Sequence, residues 1–291
     1  EEVAAAAQTV LERAVVPFVA HWVKQTGVHD VAVAGGVFAN VKLNQRIASL
    51  DCVDSLWVKP HMGDGGLSVG AAMGSAGCSP SKLTDAYLGT VADPKSIRAA
   101  LSVAGFSKRK TSDVSNKVVA VLTEGGVVAR CSGAMEWGPR ALGNRSILAC
   151  PFDPDINDWL NERLKRSEFM PFAPVVRAED VDRWFKGVEK AADAARFMTV
   201  CFDVTPAFQA AAPAAVHVDG TARPQIVDQE TNPDLHKVLS LCGERTGTPV
   251  LINTSFNMHE EPMVRTPTDA VRAWRASGIE ALWLGDHLLK Q

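Results

Sequence analysis

No two of the six cysteines stand in a CxxC spacing: Cys52, Cys78, Cys131, Cys150, Cys201 and Cys242 are scattered along the chain. That scatter argues against a disulfide framework and a thiolate metal site, and it fits a reducing, cytoplasmic compartment. No run approaches ~18 uninterrupted apolar residues, and no basic segment leads into an apolar one at the N-terminus. Neither a membrane span nor a secretory leader is therefore expected. Basic tracts are missing too. With 30 Lys+Arg against 33 Asp+Glu the formal charge is -3, which gives no reason to expect a nucleic-acid surface. Internal repeats and low-complexity tracts are absent, and so is an initiating Met. The opening EEVAAAAQTVLERAVVPFVAHWVKQTG begins in mid-helix, as a processed chain or a fragment would.

What is present reads as α/β. A chain of 291 residues suggests about two domains at roughly 150 residues each. Val3, Ala7, Val10, Leu11, Ala14 and Val15 fall on one helical stripe, which Pro17 is expected to break or kink and Gly27 to close. Val31 to Ala34 reads as a buried strand, Gly35-Gly36 as a tight turn, Val41 to Leu50 as the following helix and Ser55 to Val58 as a second strand. PHMGDGGLSVGAAMGSAG is a glycine-rich turn leading into a small-residue helix, and Ser79-Pro80 and Asp93-Pro94 mark a linker. Beyond it, helices are expected over Pro94 to Val103, Ser112 to Glu124, Ile156 to Arg166 and Asn232 to Thr246. A capped helix is expected in TPTDAVRAWRASG. GGVVARCSG, FMTVCFDV, AAVHVDG, RPQIV, PVLINTSF and a closing EALWLGDHLL read as the strands of a mixed sheet.

Four polar elements carry chemistry. In GAMEWGPRALGNRSILACPFDP, Arg140 and Arg145 are framed by Gly138 and Gly143, with Glu136, Asn144 and Ser146 close by. Glycine lets a backbone approach a ligand, and the guanidinium fork matches phosphate or carboxylate. Lys165 and Arg166 precede the proline-stiffened FMPFAP, either as a second basic element or as the basic end of a helix. HVDGTARPQIV contributes His217, Asp219 and Arg223, and LINTSFNMHEEP contributes Asn253, Thr254, Ser255 and Asn257 at the end of a buried strand. The arginines stand in Gly- or Pro-marked turns rather than on amphipathic faces, so Arg140, Arg145, Arg166 and Arg223 are expected to gather in one anion pocket. Asp64, between Gly63 and Gly65, reads equally as a turn former or as a group reaching a metal-bound phosphate. Gly35-Gly36 before a helix can receive a phosphate at the helix N-terminus.

AGGVFANVKLN, KPHMGDGGLSVGAA, MEWGPRALGNRSILACP, KRSEFMPFAP, HVDGTARPQ and LINTSFNMHEEPMVRTPTDA together resemble, in order, the motifs of the O-carbamoyltransferases of antibiotic and nodulation-factor biosynthesis (the NodU/CmcH family). The resemblance covers essentially the whole chain. It implies an α/β protein in which residues 1–80 are the end of an actin-like (ASKHA) carbamoyl-transfer domain. Residues 81–291 would be a threonylcarbamoyl-AMP-synthase-like domain that makes carbamoyl-AMP from ATP and carbamoyl phosphate. Carried over by motif, Arg140 and Arg145 would grip the phosphate or carbamoyl group, Lys165 or Arg166 and Arg223 would complete that pocket, and Asn253 and Ser255 would meet the nucleotide, with His217 beside them. Gly35, Gly36 and Asn40 would lie on the nucleotide side of the transfer domain. Asp64 would be the aspartate ligand of a divalent metal, iron or magnesium. The acceptor would be a small-molecule hydroxyl, of a secondary metabolite or a sugar, and a homodimer stays open.

Two departures bear on this. Met170 stands where the family often has Arg. The family's metal-binding histidine pair has no counterpart, since His21 and His29 are too far apart for one helical face and His61, His217, His236, His259 and His287 make no pair either. An N-terminal half is accordingly expected to be missing from this polypeptide. A tRNA threonylcarbamoyl-type enzyme fits the neutral charge poorly. A hydrogenase-maturation carbamoyltransferase and a nucleotide-binding regulatory or interaction module are the remaining alternatives.

Overall fold

The computed structural model describes residues 2–78, 82–107, 109–164 and 172–291. The helices are α1 (Glu2–Thr26), α2 (Val41–Ala48), α3 (Gly65–Ser75), α4 (Pro94–Val103), α5 (Val114–Thr123), α6 (Ile156–Arg163), α7 (Val181–Trp184), α8 (Ala192–Ala195), α9 (Pro206–Ala211), α10 (Pro233–Thr246) and α11 (Pro267–Ser277). The strands are β1 (Asp30–Val33), β2 (Ser55–Val58), β3 (Val91–Ala92), β4 (Val128–Cys131), β5 (Gly133–Ala134), β6 (Arg145–Ala149), β7 (Ala173–Arg177), β8 (Phe202–Asp203), β9 (Thr221–Ala222), β10 (Gln225–Val227), β11 (Val250–Ser255), β12 (Ala281–Leu284) and β13 (His287–Lys290).

Seven strands form a mixed sheet in the order β10-β7-β11-β6-β4-β12-β13, with β10/β7 and β4/β12 parallel and the other neighbours antiparallel. Successive side chains of a strand point to opposite faces, and the packing follows. Ala129, Ile147, Ile252 and Leu282 join a core with α4, α6 and α11. Their neighbours Val128, Leu148, Leu251 and Trp283 join another with α5 and α10. Helices therefore cover both faces. Their ends are chemically marked: Asp93 accepts from Lys95 and Ser96 amides to cap α4, and Thr266 and Asp269 form a reciprocal capping box on α11.

A third core joins the first eighty residues to the rest. Leu43 and Ile47 of α2, with Leu56 and Val58 of β2, pack with Trp184, Phe185 and Phe208. Polar ties run beside it. Buried Asn44 donates to the Phe38 and Thr199 carbonyls, Gln45 donates to Asp203, and Lys42 pairs with Asp219 at 2.7 Å.

Four expectations change. Pro17 neither breaks nor ends α1, which runs through it. The proline is exposed, so the carbonyl one turn earlier, left without its N–H partner, faces water. AAVHVDG is not a strand but a 3-10 turn (Pro213–Ala215) followed by a bend closed by Gly220 N–H donating to the His217 carbonyl. FMTVCFDV contributes only β8. EALWLGDHLL is a hairpin, β12 and β13, rather than one strand. By length and composition alone α1 could cross a membrane. Its Val23 is nevertheless buried, and Leu11, Val15, Val16 and Val19 pack against the third core.

Because that core is shared, residues 1–80 and 81–291 should unfold together. Ile47→Ala should cost about 2–5 kcal/mol and lower one midpoint seen alike by far-ultraviolet dichroism and tryptophan fluorescence in denaturant. Two resolved transitions would contradict a common core.

Candidate functional site

Between β5 and β6 the chain makes a loop whose second half, Ala141 to Asn144, is held largely by side chains. The Glu136 carboxylate is buried, and its Oε1 accepts from the amides of Leu142 (2.8 Å), Asn144 (2.7 Å) and Arg145 (3.1 Å). The Gly143 amide donates to Ser146 Oγ. On the acceptor side, the Ala141 carbonyl takes Asn253 Nδ2, that of Leu142 takes the Tyr87 hydroxyl and Gln225 Nε2, and that of Gly143 takes Arg130 Nη1. Gly143 has φ 107, and a Cβ there would stand 2.5 Å from the Leu235 side chain. Only glycine serves at that position.

The loop carries Arg140 into a cavity of about 200 Å³ that Arg223 also lines, along with Asn253, Ser255, Asn257 and Phe172. Arg223 reaches it from the corner between β9 and β10, which belong to different sheets. Among the described residues neither arginine has a carboxylate partner, and the Nε of each is buried without a hydrogen bond. Burial lowers the Arg140 guanidinium. Burial, and then the like charge of Arg140, push Arg223 down to about 10. Asn253 is buried, and its Oδ1 is likewise an acceptor with no partner among the described residues. Buried polar groups are ordinarily paired. Among the described residues this cavity therefore offers two cations without a carboxylate partner and one acceptor without a donor, a set complementary to a small oxyanion that also bears an N–H.

The expected residues sort as follows. Arg140, Arg223, Asn253 and Ser255 come together. Arg145 does not join them, and its assignment to the anion pocket is corrected. It is fully buried, and its guanidinium donates to the carbonyls of Thr90, Ser132, Gly133, Asn144 and Arg265, leaving no donor for a ligand. Lys165, Arg166 and Met170 lie outside the described residues. His217 does not line the cavity. Its Nδ1 is 3.1 Å from Thr221 Oγ1, and burial and the Arg223 charge lower it further below neutrality. Thr221 in turn donates to Asp219. Burial alone would raise that carboxyl, but hydrogen bonds from Lys42 and Thr221 hold it at about 2.

In the first eighty residues, Gly35-Gly36 and Asp64 follow the carboxyl ends of parallel β1 and β2, and the Gly35 amide donates to the Met62 carbonyl. Asn40 is a helix cap: its side chain accepts from the Leu43 amide and exchanges hydrogen bonds with Gln8 of α1, which accounts for its amide without a nucleotide. Asp64 is exposed, and among the described residues no three His, Cys, Asp or Glu side chains group to hold a metal. These residues alone do not fit a metal centre. Sequence reasoning counted Glu136 only as one polar group of the arginine element and gave no role to Tyr87, Arg130, Gln225 or Asn232, which with it hold the loop. An isolated acid in the apolar stretch GAMEWG was the available signal for the first.

Comparison with known proteins gives a family. A family model described as carbamoyltransferase C-terminus matches residues 119–291, and one described as carbamoyltransferase N-terminus matches residues 1–73. An uncharacterized protein of Methanocaldococcus jannaschii is 35% identical, over 100% of this chain and 49% of its own length. Nodulation protein NolO of Bradyrhizobium diazoefficiens is 32% identical over 100% of this chain and 54% of its own. The 3'-hydroxymethylcephem-O-carbamoyltransferase of Amycolatopsis lactamdurans is 32% identical over 87% and 47%. The chain thus spans about half the length of the curated relatives it matches. Among solved structures, full-length HypF in a phosphate- and nucleotide-bound form overlaps 65% of this chain and 28% of that one, at 17% identity and a TM-score of 0.40, too loose a likeness to argue from.

The unmatched arginines predict that inorganic pyrophosphate stabilises the fold. At 100 times its Kd the gain should be about 2.7 kcal/mol, read as a rise in thermal midpoint that Arg140→Ala diminishes. Affinity should fall as pH rises through about 10, where Arg223 of the free protein loses its proton. A midpoint unmoved by pyrophosphate would count against the pocket.

Proposed function

The chain belongs to the carbamoyltransferase family, and from that premise we propose that its Arg140–Arg223 cavity handles the phosphate-bearing end of an ATP-dependent carbamoyl activation. The observation that carries the reading is a pair of arginines with no carboxylate partner among the described residues, facing one small cavity beside Asn253 Oδ1, which likewise has no partner among them. The arginines suit phosphate oxygens, and the acceptor suits a carbamoyl NH2.

In this reading carbamoyl phosphate is hydrolysed to carbamate and phosphate. A carbamate oxygen then attacks the α-phosphorus of ATP, and the bond to the departing pyrophosphate breaks. Carbamate by itself would have to expel oxide. As the mixed anhydride with AMP it has a good leaving group, and an acceptor hydroxyl can attack its carbonyl carbon with AMP departing. Arg140 and Arg223 stabilise the charge that builds on the phosphate oxygens. The buried side of the cavity, at Phe172, Ala173 and Asn253, also limits water that would hydrolyse the anhydride. At about 200 Å³ it is smaller than the roughly 300–1,000 Å³ of sites that enclose a drug-sized ligand. The adenosine moiety would therefore project beyond it.

Residues 81–291 would form this activating domain, similar to a threonylcarbamoyl-AMP synthase, and residues 1–80 part of an actin-like transfer domain. The parallel β1/β2 pair with glycine-rich loops at its carboxyl ends supports that assignment. The acceptor would be a small-molecule alcohol.

With ATP and carbamoyl phosphate, the protein should release pyrophosphate. Arg140→Ala should slow this by about 10²-fold or more, since one well-placed charge-stabilising donor is worth about 3 kcal/mol. Asp64→Ala, altering an exposed side chain in the other region, should leave it nearly unchanged. Equal losses in both variants would refute the placement of the reaction.

A further inference from the structure

The geometry points to Glu136 as the positioning residue for Arg140, and we propose that its carboxylate acts as a built-in anion around which the arginine loop is wound. This rests on the anion-pocket reading of the preceding section and deepens it. Glu136 is 4% exposed. A buried carboxylate ordinarily requires a cation or several donors. Among the described residues Glu136 makes no ion pair. Arg145 is occupied by five carbonyls, and Arg130 donates to Gly143 and Asn232 while its guanidinium lies 4.2 Å from the Trp283 ring centroid. What holds the charge is backbone: the Leu142, Asn144 and Arg145 amides converge on Oε1, while Oε2 has no partner among the described residues. Peptide N–H groups curled around one oxygen form a nest of the kind that binds phosphate elsewhere. Here the protein's own side chain fills it.

The first of those amides belongs to the residue two places after Arg140, so the nest fixes the backbone from which Arg140 projects. That fixation matters because Arg140 faces Arg223, a like charge that lowers the Arg223 guanidinium. Without an anion between them the two would separate, and a freely jointed loop would allow it. Three hydrogen bonds to one charged oxygen oppose that relaxation and keep the pair preorganised for an oxyanion.

The test is a double-mutant cycle read with inorganic pyrophosphate. Its Kd is measured by calorimetry for the wild type, Glu136→Gln, Arg140→Ala and the double variant, with thermal midpoints taken in parallel. Glu136→Gln should weaken binding about tenfold or more in the wild-type background. In the Arg140→Ala background it should change affinity by less than about twofold, because a residue acting through Arg140 has nothing left to position. Should Glu136→Gln fail to fold, Glu136→Asp, which keeps the charge but withdraws it by one methylene, should give the same non-additive pattern. Equal losses in both backgrounds would overturn the proposal, and so would loss of the fold in both variants, which would make Glu136 a folding residue instead. A wild type that does not bind pyrophosphate would sink the anion-pocket reading itself, and this inference with it.

Discussion

From Ala141 to Asn144 the chain is neither helix nor strand, yet each of these residues has its carbonyl bound and the amides of 142 through 145 are all donated. The partners are Arg145 and Ser146 next to the loop, Glu136 within it, and Tyr87, Arg130, Gln225 and Asn253 from far off in sequence. An unpaired buried backbone group costs about as much as a lost hydrogen bond, so a loop passing through the interior exists only if such partners are supplied. The sheet delivers them. β4 brings Arg130, β10 brings Gln225 and β11 brings Asn253 to one end of the loop, while the Asn232 cap of α10 bridges Tyr87, Arg130 and Asn144. The architecture positions one short segment, and that segment presents Arg140.

Two arginines sharing a cavity with no carboxylate partner among the described residues are held there at a cost. Burial and mutual repulsion both oppose their charged forms, which is why Arg223 is pushed down to about 10. The same placement is favourable for a ligand, because an oxyanion entering between them removes both penalties at once. Arg145 is the contrasting case five residues away. It is more deeply buried than either, but its donors are matched by carbonyls of the folded chain, so it belongs to the structure and not to the cavity.

Much of the scaffold was legible because local chemistry writes it. Asp93-Pro94 and Thr266-Pro267 announce helix starts, and the strand, Gly-Gly turn and helix near the N-terminus follow from apolar patterning. RSILA and APVVR were not read as strands. β6 is buried along its whole length, and β7 along all but its last residue, so neither shows the alternation that identifies a half-exposed strand. Arg140 and Arg145 carry identical local signals, glycine, proline and polar neighbours. Which of them faces a cavity is decided by the residue at which β6 begins. That is a tertiary fact, as are the Lys42–Asp219 tie and the nest around Glu136. His217, which does not line the cavity, is a further case: its ring nitrogen turns to Thr221 instead.

The central claim is that one oxyanion sits between Arg140 and Arg223. The most direct measurement is a crystal structure of the protein with pyrophosphate. The account predicts anion oxygens within about 2.7–2.9 Å of nitrogens of both guanidinium groups. An anion bound elsewhere, or a cavity that stays free of it at saturating pyrophosphate, would contradict the account.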